Sequence, residues 1–252
     1  MPESAEIITM RVDVTDRQRA VDTILGWATD AQSRYVCVSN VHMCIETYND
    51  PAFRTTVNTA DLTVPDGRPI FWAQKLLGHK NARQVRGMDL TLSLCERAAQ
   101  QGISVGFYGG APATLQTLQS TLQQRFPQLK IAFAISPPFR PLTQAEQDAD
   151  IAAINSSNAG LVFVGLGCPK QERWMQEHRD KVNAVMLGVG AAFDFIAGNK
   201  KHAPNWMQTC GLEWFYRLLD EPKRLWRRYL YTNPKFIGLF VLQLLGKRFP
   251  PK

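Results

Sequence analysis

The chain has 252 residues, 45% of them hydrophobic and 20% charged, with a formal net charge of +7. That is the composition of a soluble globular protein with one large domain, or one domain plus an appendage. No apolar run approaches the roughly 20 residues needed to span a bilayer, the polar start MPESAEIITM does not read as a signal peptide, and Cys37, Cys44, Cys95, Cys168 and Cys210 lack CxxC spacing, which argues for reduced cytosolic thiols over a disulfide frame or zinc site.

In chain order, residues 7–14 read as a first strand or hairpin arm, and Asp16 is placed to cap a helix through Trp27. Residues 35–39 form a buried strand followed by Asn40 and His42. A helix then runs towards Tyr48 until Asn49-Asp50-Pro51 breaks it, and a second leads to Asp61. Residues 62–64 are a short strand ending in Pro65-Asp66-Gly67. Asp66 at a strand end is where a general base is placed. It is equally where an Asx-turn or the N-cap of a helix over residues 68–77 places an aspartate, and spacing alone favours the cap.

Residues 83–87 (RQVRG) precede a helix over 89–100. Residues 103–108 form a strand that ends in Gly109-Gly110-Ala111-Pro112, a glycine turn opening a helix with proline near its first turn. A strand over 129–135 leads to a loop with Pro137-Pro138 and Pro141, and Thr143 caps a helix to about Asn155. Asp148 and Asp150 form a DxD, but inside a helical run they face different directions and read as a solvated face.

Residues 160–198 organise the rest. Two short apolar runs, 161–166 and 184–189, end at glycine and flank a polar helix whose Trp174 and Met175 are expected to face inward. This is the strand–helix–strand grammar of a parallel sheet, and ligands bind such sheets at the carboxyl ends of the strands. Gly165, Gly167, Pro169, Lys170, Gln171, Glu172 and Gly190 fall there. Gly165 and Gly167 permit close backbone approach, a helix N-terminus at Pro169 suits a phosphate, Lys170 adds charge, and Gln171 and Glu172 offer groups to hydroxyls. An ordinary turn with a solvated PKQE segment fits the spacing as well. The turn at Gly109-Gly110 repeats the same logic, and two such turns in one sheet strengthen a shared phosphate or sugar site.

Alternating strands and helices through Gly198 predict one doubly wound α/β domain, 1–198. Beyond His202-Ala203-Pro204 the pattern is helical only, with helices expected over 206–219, 222–231 and 234–245 as an appendage, 199–252. This segment carries eleven Lys/Arg against three Asp/Glu, so the preceding part is near neutral and the tail suits a polyanion: nucleic acid, an anionic lipid surface or a phosphorylated substrate. Arg217, Arg224 and Arg228 recur at helical spacing and are expected on one face, beside aromatics that suit a membrane interface. A buried helix with arginines merely solvating it fits equally. No histidine has metal spacing, and no GxSxG, Walker A or HExxH occurs.

Several segments together resemble the WecG/TagA/CpsF glycosyltransferases: ADLTVPDG (60–67), RGMDL (86–90), FYGGAP (107–112), GLGCPKQE (165–172), GVGAAFDFIAG (188–198) and APNWMQTCGLEWFYRLLDEPKRLWRRY (203–229). They cover nearly the whole chain in order. The resemblance implies a Rossmann-like α/β domain with a C-terminal appendage that completes the active site at the membrane. It implies inverting transfer of a sugar from a UDP-sugar to a polyprenyl-diphosphate-linked saccharide, by a peripheral protein on the cytoplasmic face of the plasma membrane, with no metal or other cofactor and no nucleic acid, and it is compatible with a homo-oligomer.

Carried over by residue, Asp66 matches the general base and Gln171 a pocket residue. The resemblance extends substrate binding to Ser39, Asn40, Gly67, Arg86, Gly109, Gly110, Gly165, Gly167, Lys170, Glu172 and Gly190, with Arg217, Arg224, Arg227 and Arg228 stabilising the departing UDP. The chain departs from the family at Gln84, where many members carry arginine, with Arg83 and Arg86 as nearby substitutes. It departs also at His202, where arginine is common, and at Ser39. These positions bear on the identity of the sugar: N-acetylmannosamine, glucose or a uronic acid. Two other classes remain on sequence grounds, a nucleic-acid binder using the basic tail and a non-catalytic UDP-binding module.

Overall fold

A computed structural model describes residues 3–30 and 32–249. Its chain order is β1 (Ser4–Ile7), β2 (Met10–Asp13), α1 (Arg17–Thr29), β3 (Arg34–Ser39), α2 (Val41–Asn49), α3 (Pro51–Asn58), β4 (Leu62–Pro65), α4 (Arg68–Leu76), α5 (Gly87–Gln101), β5 (Val105–Gly109), α6 (Pro112–Arg125), β6 (Ile131–Ile135), α7 (Gln144–Ser156), β7 (Leu161–Gly165), α8 (Lys170–Glu177), β8 (Val185–Gly188), α9 (Ala192–Ile196), α10 (Asn205–Thr209), α11 (Glu213–Asp220) and α12 (Pro222–Leu244). β1 and β2 form an antiparallel hairpin, and six strands form a sheet in the order β4-β3-β8-β7-β5-β6. The pairs β3/β8, β8/β7, β7/β5 and β5/β6 are all parallel, which makes this the expected doubly wound α/β sheet.

The local signals explain the boundaries. Asp50 ends α2 and accepts from the N–H groups of Ala52 and Phe53 to start α3, with Pro51 at its first position. Thr143 and Glu146 form a capping box on α7. Gly109 and Gly110 both take positive φ, 106° and 80°, which frees the chain to turn from β5 into α6.

Contacts group the chain into two units. One is Arg17–Cys37 with Gly87–Lys200; the other joins Met1–Asp16, Val38–Arg86 and Lys201–Lys252. In the first, Val36, Val162, Phe163, Met186 and Leu187 build a dry strand core, and Phe107 stacks on Phe163 at 5.5 Å. In the second, α12 packs on α2 and buries Leu225, Phe236 and Phe240, while the Gln243 amide accepts from Ile8 N–H (2.8 Å) and donates to Glu6 C=O (2.8 Å).

Three expectations are corrected here. The helix expected over 206–219 is two helices, because Gly211 takes φ 71° between α10 and α11. The helices expected over 222–231 and 234–245 are one, with Pro234 inside it. The buried seam Leu225, Thr232, Phe236 and Phe240 runs at helical spacing straight past the proline, and Thr232 Oγ1 bonds Arg228 C=O at 2.8 Å. Arg217 therefore lies on α11 and Arg224 and Arg228 on α12; the non-helical backbone at Glu221 (φ −127°, ψ 58°) separates them, so Arg217 does not share the helix face of the other two. Among the described residues no helix is long and apolar enough to cross a membrane.

Candidate active site

The ends of β3 and β4 are tied together at Asp66. Asp66 N–H and Gly67 N–H both donate to Ser39 C=O, at 3.0 and 3.1 Å, and Gln84 Nε2 donates to Asp66 C=O at 2.6 Å. The loop is thus pinned through its backbone on two sides, with Asp66 half-buried. The N-cap of α4 is Gly67, so Asp66 stands one residue before it and is not the N-cap that spacing favoured. Ser39 is fully buried and donates its hydroxyl to Val64 C=O at 2.8 Å, which fastens the ends of β3 and β4 together. Asn40 caps α2 by accepting from Met43 N–H at 3.1 Å. Its Cα would lie 3.3 Å from a Cβ on Gly67, so a side chain there would press on the α2 cap.

Beside this loop lies a cleft of about 220 Å³ lined by Arg68, Gln84, Arg86, Asn205, Gln208, Thr209 and Glu213. Arg86 donates to Gln208 Oε1 and lies 3.7 Å from Glu213 Oε2, while Gln208 Nε2 donates to Ala203 C=O at 2.6 Å. Arg83 turns instead to the carbonyls of Lys80 (3.1 Å) and Ala82 (2.9 Å) and is exposed. Of the two candidates to offset Gln84, Arg86 is therefore the one in the cleft. Arg68, Asn205, Gln208, Thr209 and Glu213 were not singled out from sequence. The GLEW segment that contains Glu213 was a signal for them, but not for their convergence.

The arginines expected from the appendage are placed elsewhere. Arg224 pairs with Glu221, Arg227 sits 5.3 Å from the Trp226 ring and Arg228 5.1 Å from the Tyr229 ring, and none of these nor Arg217 lines the cleft.

In the other unit, the glycine turns converge at the ends of β5, β7 and β8. A Cβ on Gly109 would meet the Gly165 carbonyl carbon at 2.7 Å, and one on Gly165 would meet the Phe193 ring at 2.4 Å. Both glycines thus serve chain packing. Gly167, with φ 80°, has open space where a Cβ would stand, as close approach of a ligand requires. The PKQE turn is not a solvated surface. Lys170 is exposed, but Gln171 is 4% and Glu172 0% exposed. Gln171 sits in a slot left by β8, where a Cβ on Gly188 would come within 3.1 Å of its Nε2 and one on Gly190 within 3.5 Å of its Oε1. Its Oε1 accepts from Gly167 N–H at 3.1 Å and its Nε2 donates to Glu172 Oε1 at 2.7 Å.

Burial raises the Glu172 carboxyl to about 7, with Gln171, a backbone N–H and the Cys168 thiol lowering it only in part. Glu172 Oε2 is buried with no hydrogen-bond partner. Met175 is buried, and Trp174 stacks on Tyr108 at 4.4 Å. Asp150, expected on a solvated face, accepts from the Tyr108 hydroxyl at 2.8 Å.

In a parallel α/β sheet the carboxyl ends of the strands are where ligands bind, and both Asp66 and the glycine turns stand at such ends. The sequence matches the glycosyl transferase WecG/TagA/CpsF family over residues 5–250, and the chain belongs to that family. It is 33% identical over 204 residues, covering 81% of this chain and 77% of the relative, to an N-acetylglucosaminyldiphosphoundecaprenol N-acetyl-β-D-mannosaminyltransferase of Bacillus spizizenii. The protein is a glycosyltransferase.

Proposed function

We propose that this enzyme transfers a sugar from a UDP-sugar to a polyprenyl-diphosphate-linked saccharide in cell-surface polysaccharide synthesis. The reaction inverts the anomeric carbon, needs no metal, and takes place at the cytoplasmic face of the membrane. The relative's printed acceptor, a lipid-linked N-acetylglucosamine diphosphate, supports the acceptor class. The observation that carries the reading is the position of Asp66. Its backbone is pinned between Ser39 and Gln84, and Gln84 itself lines the arginine-bearing cleft.

In this mechanism the acceptor hydroxyl oxygen attacks the anomeric carbon as its proton passes to the Asp66 carboxylate. The bond from that carbon to the UDP oxygen breaks, and UDP leaves with the electron pair. The charge that develops is met by guanidinium groups and backbone N–H donors. Arg68 and Arg86 supply the former beside Asp66; the Gly167 turn is assigned UDP-sugar binding from its own unit's geometry, its open backbone at the end of β7. Residues 1–198 hold the chemistry and 199–252 complete the site, in keeping with Gln208 and Glu213 lining the cleft. Exposed Trp226, Leu230, Ile237, Val241 and Leu244 recur at helical spacing along α12, and with its basic residues they are assigned to the membrane surface.

The test is Asp66→Asn, assayed for transfer and for UDP binding by calorimetry across UDP-N-acetylmannosamine, UDP-glucose and a UDP-uronic acid, with and without EDTA. Transfer is expected to fall by about 10²–10⁴ while UDP binding persists and EDTA changes neither. Loss of UDP binding together with transfer would make Asp66 a structural residue. Loss of wild-type activity in EDTA would overturn the metal-free mechanism.

A further inference from the structure

The PKQE turn contains a buried carboxyl group for which the transfer mechanism has no use. Glu172 has no exposed surface, and one of its oxygens has no partner. A group so placed is costly to the fold, so its other oxygen should reveal why it is there. That oxygen accepts from Gln171 Nε2 at 2.7 Å, and the far end of the same amide accepts from Gly167 N–H at 3.1 Å. An amide side chain has two nearly isosteric orientations. Here a pure donor, the Gly167 N–H, faces one end. An acceptor oxygen faces the other. Only one orientation satisfies both.

The slot around Gln171 is tight enough to transmit this. Glycines 188 and 190 leave room for its amide and for little else, and Gly167 C=O accepts from the Gln171 N–H at 2.9 Å. The chain of contacts Glu172–Gln171–Gly167 therefore fixes the N–H of Gly167, while its C=O is held by the Gln171 backbone. Gly167 holds φ 80° with open space at its Cβ position. It is the point of the turn at which a ligand can approach the backbone.

We propose that Glu172 is a positioning residue for the donor site: it orients the Gln171 amide, which in turn sets the Gly167 turn that receives the UDP-sugar. Glu172 itself touches no substrate. The role of the turn as donor site rests on the function proposed above; the orienting contact does not. Cys168 is the titratable side chain that bears on Glu172, and no cation or second carboxylate contributes to its shift.

The test compares the full-length wild type with Glu172→Gln, which keeps an acceptor oxygen, and Glu172→Met, which removes it at similar volume. Two quantities are read: amide hydrogen exchange at Gly167 and the donor KM against kcat. Glu172→Met is expected to speed exchange at Gly167 and raise donor KM by about tenfold or more, equivalent to about 1.4 kcal/mol of binding, with a smaller change in kcat. Glu172→Gln is expected to restore both towards wild type. Unchanged exchange in a folded Glu172→Met protein overturns the contact, and faster exchange with an unchanged donor KM overturns the positioning role.

Should Glu172→Met fail to fold, Glu172→Asp decides the matter: it keeps the carboxyl but draws the acceptor oxygen back from Gln171 Nε2 by one methylene, and it is expected to speed exchange at Gly167 and to raise donor KM. Wild-type values for both overturn the proposal. Absence of transfer by the wild type with any UDP-sugar would instead sink the proposed function, while Gly167 exchange would still read the contact itself.

Discussion

Glu172 and Gly165 are held in opposite ways, one by what it lacks and the other by what surrounds it. With its carboxyl raised from 4.5 to about 7 by burial, Glu172 is neutral in the native protein below that value, whereas in the unfolded chain it ionises near 4.5. A raised folded value contributes stability that is present below the unfolded value and lost as pH rises through the folded one. The melting temperature is therefore expected to fall between about pH 5 and pH 8, by a free energy on the order of 3 kcal/mol, and Glu172→Gln is expected to flatten that dependence in a pH series of thermal melts. Gly165 is restricted by the Phe193 ring, 2.4 Å from where a Cβ would stand. Gly165→Ala overpacks that contact and is expected to cost about 1–3 kcal/mol, readable by urea unfolding. Neither restriction was visible in the sequence. Spacing alone fits a solvated PKQE segment as well as a ligand turn, and only the room left by Gly188 and Gly190 shows Gln171 taken inside.

At the level of elements, local chemistry was a sound guide wherever one residue decides a boundary. Asp50, the Gly109-Gly110 turn and the Thr143–Glu146 box all start or stop helices as their side chains dictate. It misled at Pro234, because a proline reads as a helix start while the buried seam of α12 is a longer-range property. Pro234 lacks the N–H that an interior position would use, so Pro234→Ala is expected to stabilise α12 by up to about 3 kcal/mol and to raise the melting temperature without changing UDP binding. Gly211 presents the reverse case. Its φ is 71°, and a Cβ there would stand 2.6 Å from the Trp72 ring. Gly211→Ala combines backbone strain with overpacking. At about 2–4 °C per kcal/mol for a chain of this size, a drop of several degrees in melting temperature is expected.

On the scale of the whole molecule, one unit is assembled from three separated stretches, Met1–Asp16, Val38–Arg86 and Lys201–Lys252. Its candidate site was legible only in part for the same reason. Asp66 could be placed at a strand end from its neighbours alone, but Arg86 and Gln208 meet across 122 residues of sequence, and no local pattern encodes that meeting. The C-terminal stretch contributes α12, which packs on α2 and buries Leu225, Phe236 and Phe240, and it lends the Gln243 amide to the edge of β1. Burying each such side chain is worth about 1.5–3 kcal/mol, against a total stability of about 5–15 kcal/mol for a typical fold. A chain ending at Lys200 would lose all three together with the wall of the cleft formed by Gln208 and Glu213. Such a truncation is expected to lose transfer activity and also to speed amide exchange in β1, β2 and α2. If exchange in those elements stays at the full-length rate, residues 201–252 add nothing to the unit's stability, and any loss of activity then belongs to the missing cleft wall or membrane surface alone.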